Sequence, residues 1–284
     1  MASLSFKEKI GYALGDGAAN IAWRGVSTFL FIFYTDVFGL NPAAVGVLFL
    51  VARFGDGVSD VLMGIICDRT NTKYGKFRPW ILWSAIPLGI ILSLLFMSPD
   101  FSQTGKLVYA YIVYNLFTLI YTANNIPYGA LMAVMTGDDK ERTSLGSFRM
   151  VGAFVGGMLV QGALLFLVAY YGNINPEIKV TQLETTKYVV KVSTNKDVKN
   201  VNIKTKDGIA QFIWADVNQK DNTPTQGKSF SMEAGKDYSF LVSGEENLEA
   251  SKITIVDQKR GYSNAIYLLS FFLSIFMILT FLST

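Results

Sequence analysis

The chain has 284 residues, of which 51% are hydrophobic, with a mean hydropathy of +0.33 and a formal net charge of +3. It contains no histidine and one cysteine, which excludes histidine-based acid–base catalysis, Ser-His-Asp and Cys-His nucleophiles, and intrachain disulfides. Its basic residues form no long run or aromatic-interleaved patch, so we expect no nucleic-acid partner. We expect neither an enzyme nor an organic cofactor.

Six apolar stretches are long enough to cross about 30 Å of hydrocarbon. They cover residues 10–36, 43–66, 79–98, 107–135, 146–171 and 263–283. We predict six transmembrane helices surrounded by membrane lipid. The first is not a cleavable signal peptide, because Asp16, Asn20 and Arg24 interrupt its apolar run. Arg24 either extends toward the interface or pairs with Asp16 or Asp36.

Basic residues of the short loops are divided unequally between the two sides of the membrane. One side carries eight of them: Lys7, Lys9, Arg69, Lys73, Lys76, Arg78, Lys140 and Arg142. The short loops of the other side carry Lys106. The positive-inside rule therefore predicts a cytoplasmic N-terminus, and places residues 172–262 outside.

Residues 172–262 differ in composition from the rest of the chain, because they hold 13 of the 25 basic and 12 of the 22 acidic residues. Short alternating runs, separated by turn signals, occur at 187–192, 198–204, 238–242 and 252–256. We predict three regions: 1–171 with helices one to five, an inserted small extracytoplasmic β-sandwich or barrel at 172–262, and 263–284 with helix six. The predicted β core contains Val189, Val192, Val201, Ile203, Phe212, Trp214, Phe230, Tyr238, Phe240, Ile253 and Ile255.

The second span contains three charged residues, Arg53, Asp56 and Asp60. Helical spacing places the two carboxylates on one face, about 6 Å apart at Cβ, where they repel unless a proton or a small cation lies between them. Ser59 adds a hydroxyl near this face. This pattern favours a cation or proton site, and the alternative is a structural network in which Arg53 neutralises one carboxylate.

Polar side chains also interrupt the first, fourth and fifth spans. Asn20 lies near Asp16, and Asn125 near Tyr121. Amides supply both donors and acceptors to hydroxyl groups, and Arg149 could donate a fork of hydrogen bonds. A cavity for a neutral polyol needs such groups, whereas the alternative is hydrogen bonding between helices.

Several segments resemble the glycoside–pentoside–hexuronide:cation symporter family of the major facilitator superfamily. They are 11–20 (GYALGDGAAN), 33–36 (FYTD), 51–60 (VARFGDGVSD), 68–80 (DRTNTKYGKFRPW), 121–127 (YTANNIP) and 148–149 (FR). The resemblance implies an all-α membrane protein, here six helices or half of the twelve-helix fold, in a bacterial inner membrane. The β insertion is foreign to the family pattern.

The resemblance also implies roles for individual residues. Those at cation-ligand positions are Asp56, Ser59, Asp60 and Thr122, with Na⁺, H⁺ or Li⁺ as the coupling ion. Those at sugar-contact positions are Asn20, Tyr121, Asn125 and Arg149. Gating or structural roles fall to Asp16, Arg53, Asp68, Arg69, Gly75, Lys76 and Arg78.

Taken together, these features lead to the hypothesis of the N-terminal half of a cation-coupled sugar or glycoside symporter, whose partner is a C-terminal six-helix half. Asn20 and Asn125 stand where the family's best-known member has carboxylates, so the resemblance leaves the sugar open. The alternative is a membrane-anchored protein whose β domain binds or senses glycans without transport.

Overall fold

Six long helices dominate the computed structural model, which describes residues 4–205, 211–214, 230–243 and 247–284. The helices are α1 (Phe6–Ile32), α2 (Pro42–Arg69), α3 (Arg78–Leu95), α4 (Gln103–Met135), α5 (Asp139–Gly172) and α6 (Gln258–Ser283). A π-helical turn, Phe33–Val37, continues α1. The predicted six helices are therefore present, each near its expected place.

Side chains in the loops start several of these helices. The Ser5 hydroxyl accepts a hydrogen bond from the Glu8 amide, and the Glu8 carboxylate accepts one from the Ser5 amide at 2.7 Å. The Ser5 hydroxyl also donates to the Glu8 carboxylate at 2.7 Å, and this bond together with the one from the Ser5 amide holds the pKa of Glu8 below its ordinary value. The Asn41 side chain caps α2 by accepting from the Ala43 amide at 2.9 Å.

Four of the helices, α3, α4, α5 and α6, are long and apolar enough to cross a membrane. Helices α1 and α2 have 27 and 28 residues, which is sufficient length, but their polar residues lower the hydropathy. In α2 the charged residues Arg53, Asp56 and Asp60 lower the hydropathy of the helix, and the same residues are its candidate functional groups.

Two compact units make up the chain. One contains Met1–Leu165 and Ala265–Thr284, and the other contains Phe166–Asn264. The first unit holds most of the helical residues, and glycines allow close helix contacts within it. Gly152 and Gly156 of α5 face the backbone of Ala13 and Gly17 in α1, where an added Cβ would collide with a carbonyl oxygen.

The second unit contains two antiparallel sheets. The strands are β1 (Glu177–Glu184), β2 (Lys187–Ser193), β3 (Val198–Thr205), β4 (Gln211–Trp214), β5 (Phe230–Met232), β6 (Asp237–Ser243) and β7 (Ile253–Asp257). Their orders are β1-β2-β6-β4 and β5-β3-β7. One hydrophobic core contains side chains from both sheets, which is the layered arrangement of a β-sandwich.

The core of this unit corrects one detail of the sequence prediction. Tyr188, Val190 and Val192 of β2 are buried in the core, whereas Val189 lies outside it. Side chains alternate along a strand, so Val189 and Val192 cannot share one face. The side chains of Phe212 and Trp214 lie outside the described residues.

Candidate functional site

The predicted cation residues Asp60 and Thr122 meet where α2 packs against α4. The Thr122 hydroxyl donates a hydrogen bond of 2.9 Å to Oδ1 of Asp60. A hydroxyl that donates its one proton keeps two lone pairs, so its oxygen can also act as a ligand. The bond therefore orients the carboxylate and places a second oxygen beside it.

Asp56 lies one helical turn before Asp60 on the same helix. Its Oδ1 atom is buried and has no hydrogen-bond partner among the described residues. Ser59 donates its hydroxyl proton to the backbone carbonyl of Asp56 at 2.9 Å. A buried carboxylate oxygen without a donor is costly, and a bound cation or proton is one way to satisfy it.

A cavity of about 150 Å³ lies between α1, α2 and α4. It is lined by Trp23, Arg53, Asp56, Asp60, Thr118, Tyr121, Thr122 and Asn125. Six of these eight residues come from the predicted set. The volume is below the roughly 300–1,000 Å³ of small-molecule sites, so the cavity suits an ion and part of a larger ligand.

Arg53 contacts an aromatic ring in this cavity. Its guanidinium lies 5.3 Å from the centroid of the Trp23 indole, a distance typical of a cation–π contact. No ion pair within 4.0 Å joins Arg53 to Asp56 in the described part of the chain. A direct ion pair between Arg53 and Asp56 is therefore not observed, although the guanidinium and both carboxylates line the same cavity.

Asp16 of α1 pairs with Arg149 of α5, with 3.4 Å between Oδ1 and Nε. The Arg149 guanidinium also lies 5.4 Å from the centroid of the Tyr128 ring. The suggested pairing of Arg24 with Asp16 is wrong, because Arg149 occupies that carboxylate. The side chain of Arg24 instead passes beside Gly157.

The remaining predicted sugar residues divide into two groups. Tyr121 and Asn125 line the cavity, and the Tyr121 ring lies 5.5 Å from that of Trp23. Asn20 donates to the backbone carbonyl of Asp16 at 2.9 Å and is not among the lining residues. Asn20 and Arg149 thus lie together near Asp16, and Tyr121 and Asn125 lie with the carboxylates of α2.

Arg78, the first residue of α3, anchors the end of the α2–α3 loop to α6. Its Nη2 donates to the backbone carbonyl of Phe281 at 2.7 Å, and the guanidinium lies 5.2 Å from the Phe281 ring. Gly75 has a φ of +89°, which favours glycine. Asp68, Arg69 and Lys76 are exposed.

Two lining residues, Trp23 and Thr118, were missed by the sequence interpretation. Trp23 lies three residues after Asn20, and Thr118 lies four residues before Thr122, so helical spacing could have identified both. Sequence reasoning also missed the contact between Tyr12 and Tyr128. Their rings stack at 4.6 Å, and each hydroxyl donates to the other residue's backbone carbonyl, at 3.2 and 2.6 Å.

A sequence profile described as "MFS/sugar transport protein" matches residues 11–193. The inner membrane symporter YicJ of Escherichia coli (strain K12) is 49% identical over 172 residues, which are 61% of this chain and 37% of the relative. YagG of the same strain, which is named as a glycoside/cation symporter, is 47% identical over 178 residues. These residues are 63% of this chain and 39% of the relative.

A third relative is the isoprimeverose transporter of Lactiplantibacillus pentosus. It is 40% identical over 168 residues, which are 59% of this chain and 35% of the relative. The chain therefore spans less than two fifths of the length of these three relatives.

Proposed function

Because the chain belongs to the family of MFS/sugar transport proteins, in which its motifs match the glycoside–pentoside–hexuronide:cation symporters, we propose that it forms the N-terminal half of a cation-coupled sugar symporter. The substrate is a sugar or glycoside, and a C-terminal six-helix half completes the site. The two halves give alternating access by rocking against each other.

The observation that carries this proposal is the pair of carboxylates in one small cavity. At about 6 Å and an effective dielectric constant near 20, two negative charges repel by about 3 kcal/mol. Arg53 brings one positive charge to the same cavity. One bound Na⁺, Li⁺ or H⁺ balances the remaining negative charge, with Asp56, Asp60 and Thr122 as its ligands and Ser59 beside them.

The sugar binds next to this ion. Tyr121 and Trp23 offer aromatic faces to the apolar side of a sugar ring, while Asn125, Asn20 and Arg149 donate to hydroxyl groups. Cation binding then raises sugar affinity, and sugar binding raises cation affinity by the same factor. Opening toward the cytoplasm is controlled by the end of α2 and the α2–α3 loop, where exposed Asp68, Arg69 and Lys76 are available to groups outside this chain.

In the membrane, the N-terminus lies in the cytoplasm and the β-sandwich lies outside. Exposed apolar side chains on α2 and α5, such as Phe54, Val58, Phe154 and Met158, face lipid or the second half. This arrangement is that of a transporter rather than an enzyme.

The test is uptake of labelled glycosides by cells that produce this chain together with a C-terminal six-helix half. We expect uptake to depend on Na⁺ or on a proton gradient, and Asp60→Asn to abolish that dependence. Asp139→Asn, whose carboxylate is 97% exposed at the start of α5, is the matched control and should stay within about twofold of the unmodified protein. Undiminished coupled uptake by Asp60→Asn would contradict the ion site.

A second candidate is a glycan-binding β domain on a membrane anchor. A groove of about 700 Å³ in the second unit supports it, because polar side chains including Asn175, Glu177, Thr194, Asn195 and Asp237 line it. The anchor function alone gives no reason for carboxylates in the α2–α4 cavity. Glycan binding that survives in a chain lacking any coupled uptake would favour this candidate.

A further inference from the structure

The groove of the β-sandwich unit lies at one end of its four-stranded sheet. Its volume of about 700 Å³ falls within the roughly 300–1,000 Å³ of small-molecule sites. The start of β1, the end of β2, the start of β6 and the β2–β3 and β5–β6 loops contribute its lining. The groove shares no lining residue with the cavity between α1, α2 and α4, so it is a separate candidate site.

Strand pairing places three of the lining residues in one row across the sheet. Glu177 of β1 pairs with Ser193 of β2, and Ser193 pairs with Asp237 of β6. Their side chains share the face that points away from the core, because the neighbouring residues Val192 and Tyr238 are buried in the core. Adjacent strands are about 4.8 Å apart, so the backbone positions of the two carboxylates are about 10 Å apart with a hydroxyl between them.

Hydrogen bonds between two loops fix another part of the lining. The Gly235 amide donates to the Thr194 carbonyl at 2.8 Å, and the Ala234 amide donates to Oδ1 of Asp197 at 2.7 Å. Gly235 has a φ of +75°, which favours glycine. The two loops are therefore held together before any ligand binds, and a pre-formed site has a smaller ordering cost on binding.

The lining side chains keep their capacity for hydrogen bonds. Those of Glu177, Asn195 and Asp237 make no hydrogen bond or ion pair to another described residue. A carboxylate has two acceptor oxygens, and an amide has one acceptor oxygen and two N–H donors. Together these groups suit a ligand whose own groups both donate and accept, as hydroxyl groups do.

The charges around the groove limit the class of ligand. No lysine or arginine is among its described lining residues, so it presents no fixed positive charge to a phosphate or a carboxylate. Lys179 and Lys191 are one row further along the strands on the same face, Lys196 lies outside the lining, and Lys236 pairs with Glu233 at 2.6 Å. An anionic ligand is therefore not favoured.

Apolar ligands and metal ions fit the groove less well than a polyhydroxyl ligand. No aromatic or large aliphatic side chain is among the described lining residues, so an apolar ligand would bury little matching surface. The described part of the chain contains no group of three His, Cys, Asp or Glu side chains able to hold a metal ion. A neutral, hydroxyl-rich ligand remains.

The groove also lies close in sequence to the end of α5. Glu177 is five residues after Gly172, the last residue of α5, and five extended residues span at most about 18 Å. In the proposed orientation, a ligand in the groove is therefore held near the outer surface of the membrane.

We propose that this groove is a binding site for neutral oligosaccharides of two or more sugar units. Sugar hydroxyls donate to the carboxylates of Glu177 and Asp237, whose separation is about the length of a disaccharide, and Ser193 and Asn195 contact hydroxyls between them. The site does not rest on cation-coupled transport and needs no Na⁺.

The experiment is calorimetric titration of the purified full chain in detergent, at constant ionic strength and without Na⁺. The neutral ligands are cellobiose, xylobiose and maltose, the single-ring ligands are glucose and xylose, and digalacturonate is the anionic disaccharide. We expect at least one neutral disaccharide to bind about tenfold or more tightly than its own monosaccharide and than digalacturonate.

Four variants test the position of the site. Asp237→Asn and Glu177→Gln keep the size of the side chain, and each should weaken disaccharide binding about tenfold, because hydrogen bonds to ionised acceptors are the stronger ones. Glu184→Gln is the matched control, since Glu184 lies at the other end of β1 and pairs with Lys187 at 2.8 Å. It should stay within about twofold, as should Asp60→Asn in the membrane cavity.

The outcomes distinguish this site from the symporter. Absence of binding for all three neutral disaccharides overturns the proposal, as does binding of digalacturonate that is equally tight. Binding that both groove variants leave unchanged also overturns it, and loss of binding in Asp60→Asn would instead assign the ligand to the membrane cavity. Failure of cation-coupled uptake overturns the proposed symport and leaves the groove standing.

Discussion

Replacing Thr122 with valine tests the link between α4 and the carboxylates of α2. Valine keeps the branched shape but removes the hydroxyl that donates to Asp60 at 2.9 Å. Hydrogen bonds to ionised groups contribute about 1.5–3 kcal/mol, and the exposed position of Asp60 favours the lower end. Since about 1.4 kcal/mol is a factor of ten in an equilibrium constant, we expect about tenfold weaker binding of Na⁺ or Li⁺.

The assay is calorimetric titration of the purified chain with each ion at constant ionic strength. Thr122→Ser restores a hydroxyl and should recover most of the affinity. Thr280→Val is the matched control, because the buried Thr280 hydroxyl donates to the Phe276 carbonyl of its own helix at 2.8 Å, away from the cavity. Affinity that stays within twofold in Thr122→Val, or that is as low in Thr122→Ser as in Thr122→Val, would refute the reasoning.

Two further predictions concern stability. Gly156→Ala places a methyl group against the Gly17 carbonyl and should lower the thermal midpoint by the equivalent of about 1–3 kcal/mol. Gly162→Ala is the control, because it lies on the same helix with open space around it and should leave the midpoint unchanged. Equal midpoints for the two variants would contradict the close packing of α1 and α5. Burial raises the pKa of Asp257 above its unfolded value of about 3.9, so its contribution to stability is present below pH 4 and is lost as pH rises through the folded pKa. Asp257→Asn is the reference, because its side-chain oxygen can still accept from the Arg260 amide as Asp257 does at 3.0 Å. Relative to this variant, the unmodified protein should lose stability from pH 4 to pH 7. Thermal midpoints that change equally with pH in the two proteins would contradict this.

Helix positions could be predicted well because apolar length and capping residues act locally. The sequence motif Ser5 to Glu8 and the Asn41-Pro42 pair each mark a helix start that the structure contains. Strand positions such as 198–204 were also clear from alternation. The inward face of β2 was harder, because Val189, Val190 and Val192 are all apolar, and only pairing with β6 decides which of them are buried.

The site was predictable within one helix but not between helices. Spacing alone relates Asp56 to Asp60, and it also relates Asn20 to Trp23. Spacing cannot relate Asp16 to Arg149, because the 132 positions between them place no constraint on which helices pack together. The close approach of α1 and α5 decides that pairing, and it depends on small residues whose sequence signal is common in membrane helices.

The two tyrosines that join α1 and α4 limit how this half of the protein can move. Each hydroxyl reaches the other residue's backbone carbonyl, so sliding one helix along the other by a single residue, about 1.5 Å, breaks both bonds together. Their polar groups would then lack partners where little water is available. Tyr12 and Tyr128 thus hold α1 and α4 together at two points, and in the proposed alternating-access cycle we expect these two helices to move as one unit.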